Sequence, residues 1–331
     1  MRAWTSGHPI WCAWQVTYRC NFRCRFCSYW RDPLGRAPEA SVSDFADGAR
    51  KLASGGSMLV SLAGGEPFLR EDLPEVAQAV GEYHLVFVTT NGWLVTEETA
   101  RRIMRAGVWG VSVSIDYADP AVHDRKRGMK GAWEQAWRAV ELLSRARIHD
   151  YQRVNVMAVL MRDNLDDLDE LMSMAAAREA YFMVQPYGHL KTGSRAHAHN
   201  DGPVAPRLLE LRERHRNFLS NPRYLGQFDR FLAEGVPGCR AGRAFFNIDS
   251  RGDAAICVEA KDRPVANVYR DPPGVLYRRL REAAAANDCR ACWYNCRGEI
   301  ESLYRPASLL SSLPTFFFDR GAARGRMGRW M

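Results

Sequence analysis

The 331-residue chain has no apolar run approaching the roughly 20 residues that a membrane-spanning helix requires. Its first residues are broken by Gly7, His8 and Pro9 and carry no cleavable secretory pattern, so the expectation is a soluble, cytoplasmic protein. Lysine is scarce, confined to positions 51, 126, 130, 191 and 261, and most positive charge is arginine spread along the chain. Lys+Arg 46 against Asp+Glu 38 gives a formal net charge of +8, too dispersed to predict nucleic-acid binding. Internal repeats and low-complexity tracts are missing, and 47% hydrophobic with 25% charged residues excludes disorder, collagen and coiled coil. Between Ser28 and Gly238 there is no cysteine at all.

The nine cysteines therefore fall into two groups, at 12, 20, 24 and 27 and at 239, 257, 289, 292 and 296. Two separated clusters in a cytosolic-looking chain predict metal ligation rather than a disulfide framework.

Short β-branched runs alternate with amphipathic stretches up to about Gln185, the pattern of a parallel sheet with helical crossovers. The runs predict strands over Trp11–Thr17, Met58–Leu62, His84–Thr89, Gly110–Ile115, Gln152–Val159 and Tyr181–Gln185. Between them helices are expected over Ser43–Ala53 on a serine cap, Leu73–Tyr83, Thr96–Ala106, Trp133–Ala146 and Leu165–Arg178. Six βα units are too few to close an eight-stranded barrel, so the expected class is α/β, a partial (β/α)6 TIM-like barrel whose missing wall comes from later residues. The expected division is a barrel over residues 1–190, a bridging helical segment over 191–237, a small α+β unit over 238–300 and a tail over 301–331.

Cys20-Asn-Phe-Arg-Cys24-Arg-Phe-Cys27 follows the first strand and places three thiols within eight residues. Three thiolates are one short of a closed four-iron site, leaving one iron open to a small molecule. Taken alone, the triad also suits a zinc knuckle, since soft thiolates serve both metals. Cys-x3-Cys-x2-Cys with Phe26 before the last cysteine resembles the signature of the radical S-adenosylmethionine (SAM) superfamily. The resemblance implies a 4Fe-4S cluster on Cys20, Cys24 and Cys27 whose open iron chelates SAM. One electron from that cluster then cleaves the sulfonium to a 5′-deoxyadenosyl radical. A low-potential donor such as flavodoxin or ferredoxin is implied as partner.

Other strand ends add to the likeness. Gly64-Gly65-Glu66-Pro67 after the second strand is similar to the segment whose bare backbone meets the SAM amino group in that family, and glycine permits such approach. Thr90 and Asn91 end the third strand, and Ser114 and Asp116 end the fourth, where the family places polar groups against the SAM carboxylate and ribose. A loop over His123-Asp124-Arg125-Lys126-Arg127-Gly128 follows. Asn155 and Gln185, polar residues in apolar runs, are expected to reach adenosine from the carboxyl edge of the sheet.

Cys239, twelve residues, Gly252, four residues, Cys257, then a gap to Cys289-Arg-Ala-Cys292 resembles the twitch domain, the shortened relative of the SPASM domain. Asn247 to Ile256 reads as a hairpin that draws Cys239 and Cys257 together. That likeness implies a second, auxiliary 4Fe-4S cluster on Cys239, Cys257, Cys289 and Cys292, with Cys296 left over as an inert thiol, an alternative ligand or a hydrogen-atom donor. Cys12 is expected in the core.

The tail combines Leu309 to Phe318 with Arg320, Arg324, Arg326, Arg329 and Trp330, a pattern that suits either peripheral contact with an anionic membrane face or plugging of the open barrel. The expected activity is hydrogen abstraction from an unidentified biosynthetic substrate, small molecule or peptide, with oxidation as the leading outcome. A ribosomal peptide is weakened as substrate because the first strand starts within about a dozen residues, where peptide-modifying relatives often carry a recognition domain. Epimerisation through Cys296, action on a lipid, and a zinc-thiolate nucleic-acid-binding or scaffold protein are the other readings. Glu66, Glu259, Arg243 and Tyr294 are the candidate polar groups of a substrate pocket.

Overall fold

A computed structural model describes residues 7–304. The tail beyond 304, with its expected membrane or barrel-plugging role, lies outside the described residues.

Strands β1 (Trp11–Thr17), β2 (Leu59–Gly64), β3 (Leu85–Thr90), β4 (Gly110–Ser114), β5 (Arg153–Leu160) and β6 (Tyr181–Pro186) pair in parallel and in sequence order. Helices α1 (Val42–Leu52), α2 (Leu73–Gly81), α3 (Glu97–Arg105), α5 (Ala132–Ala146) and α6 (Asp167–Ala177) make the crossovers, with α4 (Pro120–Arg127) added before α5. Each strand is apolar on the helix side: Trp14, Val16, Val60, Leu62, Val86, Val88, Val111, Val113, Val154 and Val156 share one buried core with the helices. Cys12 belongs to that core.

Local chemistry fixes the helix ends. α1 starts one residue earlier than the expected Ser43 because Ser41 caps it in a reciprocal capping box with Asp44. Residues 123–127, expected with Gly128 as a loop, form most of α4. Asp119 caps this helix, Pro120 fills its first turn, and Gly128 ends it at φ +67°. The charge-rich sequence hides that helix from a search for apolar periodicity.

The missing wall is supplied on two sides. After the bridging helices α7 (Ala205–Arg214), α8 (Pro222–Leu225) and α9 (Phe228–Glu234), strand β7 (Phe245–Ile248) adds in parallel to the free edge of β1. β8 (Asp253–Ala255) and β9 (Ala266–Asn267) continue antiparallel, so the order is β6-β5-β4-β3-β2-β1-β7-β8-β9 in one sheet. The expected hairpin is β7–β8. At the other edge Phe218 bridges Phe182 of β6. α10 (Pro273–Ala285) and α11 (Asn295–Ser302) complete the chain, and Asn295 Nδ2 reaches within 3.3 Å of Met157 Sδ on β5. No helix among the described residues is long and apolar enough to cross a membrane.

Candidate active site

Strand alternation gives each inner residue a neighbour that faces the helices, and here the two faces differ in chemistry. On the face away from the helices stand Gln15, Ser61, Ser112, Asn155 and Asn247, all buried. Gln15 Nε2 donates to Asn247 Oδ1 at 2.9 Å, tying β1 to β7, and Asn155 Nδ2 donates to Ser112 Oγ at 3.3 Å. Asn155 Oδ1 and Gln15 Oε1 are buried without a partner among the described residues. A polar inner face with orphaned acceptors fits a polar ligand held in the concavity and not a close-packed apolar barrel core.

The thiol loop leaves the carboxyl end of β1 at the rim of this face. Gly64 and Gly65 press on its root: a Cβ at Gly64, whose φ is +131°, would stand 2.0 Å from Thr17 O, and one at Gly65 2.0 Å from Arg19 O. Gly65 N–H donates to Thr17 O at 2.9 Å and Glu66 N–H to Arg19 O at 2.8 Å. The bare backbone at these glycines thus serves an approach to the chain that carries Cys20. Pro67 follows as the first residue of a short 3-10 turn.

Glu66 is fully buried, accepting from Phe68 N–H at 3.0 Å, Thr90 Oγ1 at 2.7 Å and Asn91 N–H at 2.7 Å. Burial pushes its carboxyl up to about 7 against these donors. Asn91 Nδ2 donates to Asn21 Oδ1 at 2.8 Å, so the end of β3 holds the loop between Cys20 and Cys24. Asn21 was not legible as a site residue, being an ordinary variable position inside a cysteine spacing.

Asp116 is fully buried and doubly engaged. Arg127 donates to its Oδ2 from Nε at 2.8 Å and Nη2 at 2.6 Å, and Val159 N–H donates to Oδ1 at 2.9 Å. The Arg127 guanidinium lies 5.4 Å from the centre of the Phe26 ring. Arg127, which sequence reading left without a role, therefore couples the end of β4 to the cysteine loop. Burial pushes the Cys20 thiol up to about 11 and Cys24 up to about 12, and the Arg127 charge opposes the rise at both.

Ser114 pairs with Met157 near the top of β4. Gln185 is level with Val159, whereas Asn155 is level with Ser112 and Tyr181, four residues lower on β5 and so roughly 13 Å from Gln185 along the strand. The two residues expected at one edge are thus separated in depth, a difference that register sets and composition does not reveal.

In the C-terminal group, Cys239, Cys257 and Cys296 pack on one small cluster with Ala241, Ala244, Phe245, Ile300 and Leu303. Cys292 is buried, and Arg297, itself fully buried, clamps the two segments together by donating to Cys292 O at 2.7 Å and to Val236 and Pro237 carbonyls at 2.5 and 3.2 Å. Asn287 joins Cys289 to the same place, accepting from Cys289 N–H at 3.4 Å and donating to Cys239 O at 3.1 Å. All five thiols are drawn to one region, so Cys296 is not remote from the other four. Among the described residues no three His, Cys, Asp or Glu side chains converge tightly enough to chelate a single ion. A four-iron cluster takes one thiolate per iron, so its ligands surround a body and not a point.

Of the candidate pocket residues, Glu259 Oε1 lies 2.8 Å from Lys191 Nζ, close enough for an ion pair but out of line for a hydrogen bond. The Lys191 ammonium sits 4.7 and 5.7 Å from the Tyr29 and Tyr294 ring centres. Arg243 is exposed. Lys191 was missed because nothing in its local sequence marks it.

A partial barrel of parallel strands with a three-thiol loop after β1 defines a class, and comparison with known proteins agrees: the Radical SAM superfamily profile matches residues 14–175. The chain is 30% identical over 317 residues, 88% of its length and 77% of the relative's, to the mycofactocin maturase MftC of Mycolicibacterium smegmatis. It is 32% identical over 188 residues to the AdoMet-dependent heme synthase of Methanosarcina barkeri, covering 54% of this chain and 52% of that protein. Among solved structures, Streptococcus suis SuiB bound to S-adenosylmethionine superposes with a TM-score of 0.65 at 19% identity, over 81% of this chain and 65% of SuiB. Native anSMEcpe with bound AdoMet gives 0.60 at 15%, over 83% and 82%. The chain spans about two thirds of the SuiB chain's length. The chain belongs to the radical SAM superfamily and is an enzyme that uses SAM and a 4Fe-4S cluster.

Proposed function

We propose that the chain generates a 5′-deoxyadenosyl radical on the Cys20, Cys24 and Cys27 site and abstracts a hydrogen atom from a peptide or peptide-derived substrate, with oxidation as the outcome once the substrate radical loses a proton and a second electron, which the auxiliary cluster would accept. The observation that carries the reading is the thiol loop at the carboxyl end of β1, held by Gly64, Gly65, Glu66 and Asn91 above a polar concave face. The bound cluster supplies the single electron that cleaves the sulfonium of SAM. The chain's own residues position and shield: Phe26 and Arg127 cover the loop, and Ser114, Asn155 and Gln185 offer polar groups at successive depths. Thr90 and Asp116, spent on Glu66 and Arg127, act through those partners.

A peptide substrate is favoured because the relatives include a maturase at 30% identity, and the solved neighbours include SuiB bound to its precursor peptide. A lipid substrate has no such support among the described residues. The auxiliary 4Fe-4S cluster is assigned to Cys239, Cys257, Cys289 and Cys292 within a twitch-like unit over 238–300. Cys296 packs with two of these, which places it to serve as an alternative ligand.

Epimerisation is the second reading, favoured by the contact of Asn295 with Met157, which brings the segment next to Cys296 against the inner face. Anaerobic incubation of reconstituted protein with SAM, a reductant and candidate peptides in deuterated water separates the outcomes. Reductant-dependent 5′-deoxyadenosine and a product two mass units lighter support oxidation, and a mass increase of one supports epimerisation. No 5′-deoxyadenosine, or equal amounts from Cys24→Ala, contradicts the radical SAM assignment of the triad.

A further inference from the structure

We propose that the exposed surface around Trp30, beside the thiol loop, is the docking site for an acidic one-electron carrier protein. The inference rests on the radical SAM reading, since sulfonium cleavage consumes an electron that must enter from outside the chain.

Cys20 lines a cavity of about 410 Å³ together with Tyr18, Arg19, Trp30, Arg31 and Arg36. Trp30 connects this surface to the loop, its indole N–H donating to Cys24 O at 3.3 Å. Two guanidinium groups share its ring: Arg23 stands 5.1 Å and Arg31 4.1 Å from the ring centre. Each is attracted to the ring, but the two like charges repel one another.

The neighbouring acids do not relieve this. Glu39 is taken by Arg19 and Arg70, and Asp32 by Lys261. Arg23, Arg31 and Arg36, at the ring or in the cavity wall, are exposed and have no carboxylate partner among the described residues. The result is a half-covered indole ringed by unneutralised arginines, the residue types that anchor protein interfaces and steer anionic partners.

An anionic peptide or a nucleic acid would also meet these charges. The carrier is favoured because Trp30 bonds the backbone of a cluster cysteine and Cys20 forms part of the cavity wall, so a partner seated here lies against the cluster's own loop.

The test mixes full-length, cluster-loaded protein anaerobically with a reduced acidic ferredoxin or flavodoxin and follows bleaching of the cluster absorbance. A parallel series uses photoreduced deazaflavin, a small reductant that needs no docking surface. The Arg31→Glu/Arg36→Glu variant is expected to slow carrier-driven bleaching on the order of ten-fold at low ionic strength. Raising the salt should erase most of the wild-type advantage, with deazaflavin-driven bleaching equal in both proteins. Arg31→Glu alone, which removes one of the two guanidinium groups at the Trp30 ring, should shift the rate the same way by less.

Carrier-driven bleaching at an unchanged rate in both variants overturns the proposal, as does equal slowing with deazaflavin. Unchanged carrier kinetics with lost binding of an acidic peptide assigns the surface to substrate and overturns it too. Failure of the wild type to bleach with either reductant contradicts the underlying cluster reading instead, and the deazaflavin series identifies that failure.

Discussion

At Asp116 the two interactions that organise the loop meet. Replacing Asp116 by asparagine would leave the Arg127 guanidinium buried beside Phe26 without its counter-charge. Breaking such a pair from one side costs about 3–5 kcal/mol, and thermal or urea unfolding of Asp116→Asn checks that expectation. Gly65→Ala tests the root of the loop, since a methyl group 2.0 Å from Arg19 O must displace the chain that carries Cys20. Iron bound at the N-terminal site should fall even if the protein stays folded. Glu66 adds a pH dependence. Its carboxyl, held up to about 7 by burial, keeps its proton longer in the folded state than in the unfolded chain. Its stabilising contribution is therefore complete below the ordinary glutamate range near 4.3 and is lost as pH rises through about 7. Urea midpoints of Glu66→Gln should show a shallower decline across this window, and a lower value at its acid end, because the new amide faces the Asn91 N–H. At this scale the sequence told which residues matter better than it told what they touch. Gly64, Gly65, Asn91 and Asp116 all lie at the loop, but their partners are Thr17, Arg19, Asn21 and Arg127, fixed by how strand ends meet.

Among the elements, the six parallel strands were legible because each is an apolar run between turn signals, and β1 has the expected bounds of Trp11–Thr17. α4 was not, since its stop and start signals, Asp119, Pro120 and Gly128, enclose almost no apolar residues. The relative depth of Asn155 and Gln185 depends on the pairing of β5 with β6, which one strand's composition cannot specify. The attachment of β7 to β1 likewise joins residues far apart in sequence, although the Gln15–Asn247 hydrogen bond shows its chemistry in retrospect. Arg297 gives a test at this level. Arg297→Met keeps much of the buried volume but releases Val236 and Pro237 from Cys292, so the segments bearing Cys239 and Cys292 lose their clamp. The variant should keep about four irons, those on the N-terminal triad, and lose those of the C-terminal group. Iron analysis with electron paramagnetic resonance of the reduced protein reads this directly, and an unchanged iron content would show that Arg297 does not position that group.

Across the whole molecule, one continuous sheet carries both thiol groups: the N-terminal triad follows β1, and the C-terminal group is built around β7 and β8 at the neighbouring edge. If, as proposed, these groups hold two four-iron clusters, one of them open to SAM, iron and acid-labile sulfide in anaerobically purified protein should come to about eight of each per chain. About four would remove the auxiliary site, and zinc in place of iron would overturn both cluster assignments.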